Sequence, residues 1–301
     1  MRRIEHPGPV SAERFRTADC ALRHVQVSLE PGLPLLDALA AVLASNRATS
    51  AVATLRGGSF DPFVYVMPAL SPTPAHAVYF SGRHEPEGVV RLEAATVTVG
   101  RRDGRPWLHC HGIWQDAAGN RLGGHVLPDE ALIAEPIEAS IWFLDGASFE
   151  VVPSPETSFT LFEPLAASGD RNRAANGAFA MAVRPNEDLC TVLVDECRAR
   201  GIASACVRGG VGSLVGASFD DGREVEPFVT EVFVRNGTIG QEPGGDLAAQ
   251  IDVSVVDFLG GLNEGRLQQG SNPVLVTFEL VVEPTRHFES SSSSSSSKPN
   301  A

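Results

Sequence analysis

The sequence predicts an α+β protein made of two tandem domains, each with a mainly antiparallel sheet and one packed helix. Three observations predict this class: a domain-sized internal repeat, one amphipathic helical pattern early in each copy, and a run of strand-like segments after that pattern. The chain has 301 residues, of which 43% are hydrophobic and 20% charged, so it is long enough to bury two cores. This composition excludes a disordered chain.

The repeat pairs a leucine-containing helical pattern with an Arg-Gly-Gly turn in each half of the chain. In the first copy Pro31–Leu39 leads into Arg56 and its two glycines, and in the second Pro185–Leu193 leads into Arg208 and its two glycines. The copies start roughly 150 residues apart, so each is the size of a domain. The predicted boundaries are a first domain at 1–160, a linker at 161–177, a second domain at 178–286 and a serine-rich tail, expected to be disordered, at 287–301.

The elements of the first copy can be assigned in order from their patterns. Residues 21–29 alternate apolar and polar side chains, which predicts a half-buried strand, and the segment from Pro31 carries apolar residues at helical spacing. A short strand at 51–55 ends at a pair of glycines. The remaining predictions are strands at 89–99, 107–114 and 137–144, with turns at 102–105 and 116–120.

Charge and composition limit the partners and the compartment. The chain carries 24 basic and 37 acidic residues, a net charge of -13, which repels a phosphate backbone, so direct DNA binding is not expected. No apolar run approaches the roughly 20 residues of a membrane span, and a cytoplasmic location is predicted. The five cysteines are scattered and odd in number, so reduced thiols are favoured over a disulfide framework.

A histidine cluster is the strongest candidate for chemistry. His109 and His111 lie two residues apart on a predicted strand and therefore face the same side, while Cys110 faces away. The turn at 116–120 can fold the next segment back, so that His125, preceded by two glycines, completes a set of three imidazoles. Three neutral histidines with an open position are typical of a catalytic zinc site, although manganese, iron and nickel accept the same ligands. The alternative is a polar His-x-His pair on a partly exposed strand.

The combined pattern resembles the plants-and-prokaryotes conserved (PPC) domain family. It consists of the Pro-Gly-x-x-Leu helix, the Gly-Gly-Ser turn at Gly57, the His-x-His strand at His109, the Asp-x-x-Gly turn at Asp116, and Gly-Gly-His-Val-Leu ending at Leu127. The resemblance is complete over 20–150 and weaker over 178–283. The resemblance implies a small α+β domain that is usually assembled as a trimer, so a homo-oligomer is expected. It also implies a divalent metal at the three histidines, with zinc as the leading candidate.

Two departures from the family pattern bear on function. Plant members with an added AT-hook bind AT-rich DNA, but the nearest match here, Asp103 to Pro106, begins with an acidic residue inside a predicted turn. The second copy has Asp252, Ser254 and Gly270 where the first has histidines. Because these residues cannot form a three-imidazole site, the second domain is predicted to be a structural partner or a pocket with altered chemistry.

Carboxylates and arginines outside the cluster are further candidates. Glu93 and Glu138, on predicted strands, are expected as proton-transfer residues, and Glu231 occupies the position equivalent to Glu93 in the second copy. Arg56 and Arg208, each beside a Gly-Gly pair, are expected to bind an anionic substrate. The alternative for all of them is solvated charge on a sheet face or at a strand end.

The sequence therefore predicts a metal-dependent hydrolase, lyase or isomerase that acts on a small carboxylate-type metabolite. The alternative, from another class, is a non-catalytic regulatory or DNA-associated oligomeric binding module of the kind that the plant family members represent. A salt-dependent DNA-binding assay separates the two, because phosphate contacts weaken steeply with salt.

Overall fold

The N-terminal half of the chain forms a mainly antiparallel sheet with one helix. The computed structural model describes residues 2–167, the N-terminal half, and residues 177–285, the C-terminal half. The elements of the N-terminal half are β1 (Phe15–Leu29), α1 (Leu35–Ser45), β2 (Ala51–Arg56), β3 (Ser59–Phe60), β4 (Tyr65–Val66), β5 (Pro68–Leu70), β6 (Val78–Phe80), β7 (Val90–Arg102), β8 (Arg105–Gln115), β9 (Arg121–Val126), β10 (Ile133–Glu135), β11 (Ile137–Asp145), β12 (Ala147–Pro153) and β13 (Thr160–Ala166). The strands pair in the order β1-β11-β2-β7-β8-β9-β4, all antiparallel.

The C-terminal half forms a second antiparallel sheet with one helix. Its elements are β14 (Ala178–Val183), α2 (Leu189–Ala199), β15 (Ala205–Ser218), β16 (Glu224–Gln241), β17 (Leu247–Asp257), β18 (Leu262–Arg266) and β19 (Val274–Pro284). The strands pair in the order β14-β19-β15-β16-β17-β18.

Strand β1 joins the two sheets. Its first residues, Phe15–Cys20, pair with β14, and its remaining residues, Ala21–Leu29, pair with β11. The strand predicted at 21–29 is therefore only the second part of β1. Because one strand runs through both sheets, backbone hydrogen bonds set the position of one half against the other.

The predicted α+β class is wrong, because strands dominate the chain. Of the described residues, 58% lie in strands and 8% in helices. The longest strands, β16 and β1, have 18 and 15 residues, whereas each helix has 11. Valine, threonine and phenylalanine recur in β16, and such residues favour a pleated, half-buried surface. Within the two described ranges, neither helix is long and apolar enough to cross a membrane.

Apolar clusters fill each half and the junction between them. Leu39 of α1 belongs to the N-terminal cluster and Leu193 of α2 to the C-terminal one, and both are fully buried. A further cluster, at the junction, includes Val52, Phe149 and Val281. Fully burying one such side chain contributes about 1.5–3 kcal/mol. The junction is therefore packed as a core.

The predicted linker overlaps a strand. Residues 161–166 belong to β13, which pairs with β12. The rest of the linker, at 168–176, and the predicted disordered tail, at 287–301, lie outside the described residues. The chain between the two sheets thus contributes its first part to the N-terminal half.

Candidate metal centre

The hairpin of β8 and β9 places three histidines side by side. His111 on β8 lies directly opposite His125 on β9, and His109 precedes His111 by two residues on the same face. The turn expected between the strands is present, because Oδ1 of Asp116 accepts a hydrogen bond from the backbone N–H of Asn120 at 2.8 Å. The structure therefore brings together the three histidines that the sequence spacing indicates.

The two glycines before His125 allow close contacts on both sides of β9. A Cβ atom at Gly124 would lie 2.6 Å from the carbonyl oxygen of Val66 on β4, and one at Gly123 would lie 2.7 Å from a methyl carbon of Val256 on β17. Only glycine accommodates such distances without a shift of its neighbours. The Gly-Gly pair thus lets His125 lie between β4 and the C-terminal half.

The ring nitrogens of the three histidines converge. Nε2 of His111 lies 3.1 Å from Nε2 of His109 and 3.2 Å from Nδ1 of His125. Two nitrogens that both bind zinc at about 2.0–2.1 Å in tetrahedral geometry lie roughly 3.3 Å apart. The spacing of the imidazoles therefore fits one shared metal ion.

Hydrogen bonds on the far side of two rings determine which nitrogen carries the proton. His109 donates from Nδ1 to Oε2 of Glu279 at 2.9 Å, and His111 donates from Nδ1 to the carbonyl oxygen of Val232 at 3.1 Å. A carbonyl and an ionised carboxylate only accept, so the Nε2 atoms of two neutral rings present lone pairs to each other. Lone pairs that face each other at 3.1 Å repel unless a cation lies between them. This arrangement fits a divalent metal better than a neutral hydrogen-bonded pair.

Burial disfavours the protonated form of two of the three histidines. It is the main cause that lowers the pKa values of His111 and His125 well below the ordinary value for histidine, and neighbouring histidines lower them further. Neutral imidazole is the form that binds a metal. The lowered pKa values of His111 and His125 therefore favour the form that could bind a metal.

Glu231 of β16 reaches the cluster from the C-terminal half. Its Oε1 lies 3.9 Å from Nε2 of His111 and 4.0 Å from Nδ1 of His125. Its Oε2 is buried and has no hydrogen-bond partner among the described residues. Burial also raises the pKa of Glu231 well above its ordinary value. A buried carboxylate oxygen without a partner is costly, so the geometry fits a site that receives a metal, a water molecule or a substrate.

A cavity of about 300 Å³ opens beside the histidines, where the two halves meet. Groups from both halves of one chain line it, including the three histidines and Arg102 from the first and Glu231 and Glu279 from the second. Its other walls are mainly apolar, with the aromatic residues Tyr79, Phe80, Trp107, Phe159 and Phe162. Phe80, on the β5–β6 hairpin, packs edge-on against His125 with ring centres 5.2 Å apart. A concave apolar site with a few convergent polar groups suits a small organic ligand.

The carboxylates expected as proton-transfer residues do not line this cavity. Glu93 pairs with Arg121 at 2.6 Å on the surface. Glu138 is exposed on β11. The structure therefore brings neither residue to the histidines.

The arginines expected to bind an anionic substrate also lie elsewhere. Arg56 is exposed at the end of β2, opposite Glu138. Arg208 pairs with Glu283 at 2.7 Å and lies 5.0 Å above the ring of Trp142. Neither arginine is among the residues that line the cavity.

The residues of the second copy that replace the histidines have partners of their own. Asp252 pairs with Arg266 at 2.9 Å, and the hydroxyl of Ser254 donates to Glu264 at 3.1 Å. Glu264 also pairs with Arg121 of β9 at 2.7 Å. The Arg121–Glu264 pair connects β9 of the N-terminal half with β18 of the C-terminal half.

Glu279 has no place in the sequence-based prediction, and Glu231 enters it only as the counterpart of Glu93. A sequence signal for both exists, because each interrupts a mostly apolar run within its strand, at 228–234 for Glu231 and at 274–282 for Glu279. Acidic residues are almost never fully buried unless they are paired. This pattern predicts that the two residues are buried and paired, but it does not identify their partners.

Comparisons with solved structures show similarity over about half of the chain. No protein-family model and no curated protein matches it. A plant- and prokaryote-conserved (PPC) protein from Pyrococcus horikoshii is 18% identical over 53% of this chain and 100% of its own, with a TM-score of 0.40. A metal-containing protein from Archaeoglobus fulgidus is 16% identical over 48% and 96%, with a TM-score of 0.40. A candidate DNA-binding protein from Bacteroides thetaiotaomicron is 13% identical over 48% and 96%, with a TM-score of 0.37. The chain thus resembles a PPC protein in structure as well as in motif.

Proposed function

We propose that this protein is a metal-dependent hydrolase of small carbonyl compounds. In this proposal His109, His111 and His125 hold one divalent ion, for which zinc is the leading candidate. One observation carries the proposal: the Nε2 atoms of His109 and His111 lie 3.1 Å apart, beside the buried Glu231, whose Oε2 has no partner in the described part of the chain. Hydrolysis is favoured over lyase and isomerase chemistry because the cavity beside this carboxylate has room for both water and a substrate.

Residues of the C-terminal half prepare the ligands. Glu279 and the carbonyl of Val232 hold His109 and His111 in the tautomers that bind a metal. A divalent ion bound there supplies Lewis-acid chemistry, since it polarises a carbonyl or lowers the pKa of a water molecule. The site draws on both halves of one chain, and the expected homo-oligomer stays a separate prediction.

Glu231 is the proposed proton acceptor. Its Oε1 lies within 4.0 Å of two of the proposed ligand nitrogens, so the carboxylate can form a hydrogen bond to a water molecule beside the cluster. In this role Glu231 takes a proton from the attacking water and returns it to the leaving group. Glu93 takes this role in the sequence-based prediction, but its ion pair with Arg121 lies outside the cavity.

The competing function is a DNA-associated module. The net charge of -13 opposes contact with a phosphate backbone, and the histidine cavity has no role in that function. Binding of duplex DNA at about 0.15 M salt, without metal-dependent activity, supports the competing function.

The experiment that tests the proposal compares carboxylate variants of the metal-loaded protein. Hydrolysis of phenyl acetate is measured for the wild type, Glu231→Gln and Glu226→Gln, which removes an exposed charge from the same strand. We expect Glu231→Gln to lower kcat by about 10²–10⁴-fold while the metal is retained, and Glu226→Gln to keep the wild-type rate. Glu93→Gln tests the sequence-based alternative. An unchanged rate in Glu231→Gln, or no metal-dependent hydrolysis by the wild type, contradicts the proposal.

A further inference from the structure

The cavity has a cationic end that the proposed hydrolysis does not use. Arg102, at the end of β7, lines the cavity, and its guanidinium lies 4.7 Å from the ring centre of Trp107. Trp107 precedes His109 by two residues on β8, so both side chains face the same side of the strand. Arg102, Trp107 and His109 therefore form a row along one wall.

Arg102 is available to an anion. Among the described residues it has no ion-pair partner, and its guanidinium donates a hydrogen bond to Oγ1 of Thr160 at 3.2 Å. The adjacent Arg101 differs, because its Nε and Nη2 donate to Glu150 at 2.8 and 2.6 Å. A guanidinium at the mouth of an apolar cavity favours a carboxylate, since it offers paired donors in a planar fork.

The other end of the cavity does not favour an anion. Glu231 and Glu279 are buried there, 5% and 1% exposed. Both are acidic side chains placed against the histidines, whereas Arg102 is the cationic side chain at the opposite end of the cavity. The distribution of charge along the cavity therefore favours one orientation of a ligand with a single anionic end.

The wall between the two ends is apolar. Val151, Leu161 and Phe162 line the cavity together with Trp107. The cavity volume of about 300 Å³ is of the size that holds a small organic molecule. This lining favours a flat apolar group between Arg102 and the histidines.

We propose that the substrate is an aryl or short-chain carboxylic acid whose carboxylate pairs with Arg102 and whose reacting carbonyl lies at the histidines. The position of the reacting carbonyl rests on the proposed function, whereas the binding of the carboxylate by Arg102 does not. Arg102 is then a specificity-determining residue, in the place that the sequence-based prediction gives to Arg56 and Arg208.

Two ketones that cannot be hydrolysed test this inference. 4-Acetylbenzoate and acetophenone differ only by the carboxylate, and their affinities are measured by calorimetry for the wild type, Arg102→Gln and Arg101→Gln. Arg101→Gln is the matched control, because it removes the same charge from the neighbouring position. We expect the wild type and Arg101→Gln to bind 4-acetylbenzoate about tenfold more tightly than acetophenone, and Arg102→Gln to bind the two ketones equally.

The outcomes separate this inference from the proposed function. Equal affinities in the wild type, a preference that survives in Arg102→Gln, or no binding of 4-acetylbenzoate contradicts the inference. Metal content and circular dichroism show whether Arg102→Gln is folded. If Arg102→Gln is not folded, Arg102→Lys, which keeps the positive charge, is measured in its place. If the wild type lacks metal-dependent hydrolysis but keeps the Arg102-dependent preference, the proposed function fails and the acid-binding site stands.

Discussion

Glu279, on the last strand, accepts a hydrogen bond at 2.9 Å from Nδ1 of His109, a residue 170 positions earlier in the chain. The contact crosses the boundary between the two halves, and the carboxylate is buried. Metal-binding histidines almost always donate their other ring N–H to a carboxylate, a carbonyl or water, and this partner orients the ring. The candidate metal centre therefore depends on the C-terminal half, although all three histidines belong to the N-terminal half.

Replacement of Glu279 by glutamine is expected to weaken metal binding. A neutral amide oxygen accepts from Nδ1 of His109 more weakly than a carboxylate does, and the amide nitrogen competes for the same position, so the ring is held less firmly in the tautomer that binds a metal. We expect the metal affinity to fall by about 10–100-fold, measured by competition with a chelator. Glu283→Gln, on the same strand, keeps the wild-type affinity, since Glu283 pairs with Arg208 outside the cavity. Equal affinities for Glu279→Gln and wild type would show that the carboxylate of Glu279 does not support the site.

Alanine at Gly124 is expected to destabilise the protein. The added Cβ atom would lie 2.6 Å from the carbonyl oxygen of Val66, and this backbone atom cannot move away cheaply. Such overpacking costs about 1–3 kcal/mol of unfolding free energy, measured by denaturant titration. The control is Gly82→Ala, because nothing lies within 4 Å of a Cβ atom at that position. Equal stability of the two variants contradicts the close approach of β4 to β9.

Stability is expected to fall as the pH drops below about 6.5, in part through His6. Burial lowers the pKa of His6, whose Nε2 donates to the carbonyl oxygen of Leu275 at 2.7 Å. Its Nδ1 is buried without a partner in the described ranges, so a proton there has no acceptor. Between the lowered folded pKa and the ordinary value, the unfolded chain binds more protons, and the free energy of unfolding therefore decreases with decreasing pH.

Denaturant titrations at several pH values measure this contribution. We expect a shallower loss of stability in His6→Gln than in the wild type, compared at equal metal content. His24→Gln is the control, because His24 is exposed on β1, and it keeps the wild-type slope. A slope in His6→Gln as steep as that of the wild type contradicts the assignment.

One of the five cysteines is expected to react with a thiol reagent in the folded protein. Cys206 is partly exposed, whereas the other four are buried. Burial raises the pKa of Cys20 to about 12 and that of Cys197 to about 11, so little of the reactive thiolate is present at neutral pH. Titration with a chromogenic disulfide gives one fast thiol in the native state and five in denaturant. Two or more fast thiols contradict the described burial.

The local part of the candidate site was accessible from the sequence. Alternation along a strand places His109 and His111 on one face, and the turn residues Asp116 and Asn120 return the chain so that His125 faces His111. These relationships involve neighbours in sequence, for which spacing is a direct guide to geometry.

The remaining parts of the site and the fold class depend on contacts that spacing does not encode. Glu231 and Glu279 reach the histidines only because the two sheets pack against each other, through β1 and the apolar cluster around Phe149. Arg102 is held in place by its contacts with the ring of Trp107 and with Thr160 of β13. The helix after Pro31 is present as α1, but the long strands of the C-terminal half leave helix a minor component.

Metal content tests most directly whether three histidines of this chain hold one metal ion. Protein purified without an affinity tag or chelator is analysed by mass spectrometry, as wild type, His109→Ala/His111→Ala and His24→Ala. We expect about one metal per chain in the wild type and in His24→Ala, and none in the double variant with its circular dichroism unchanged. No metal in the wild type after reconstitution, or metal retained by the folded double variant, would contradict this expectation.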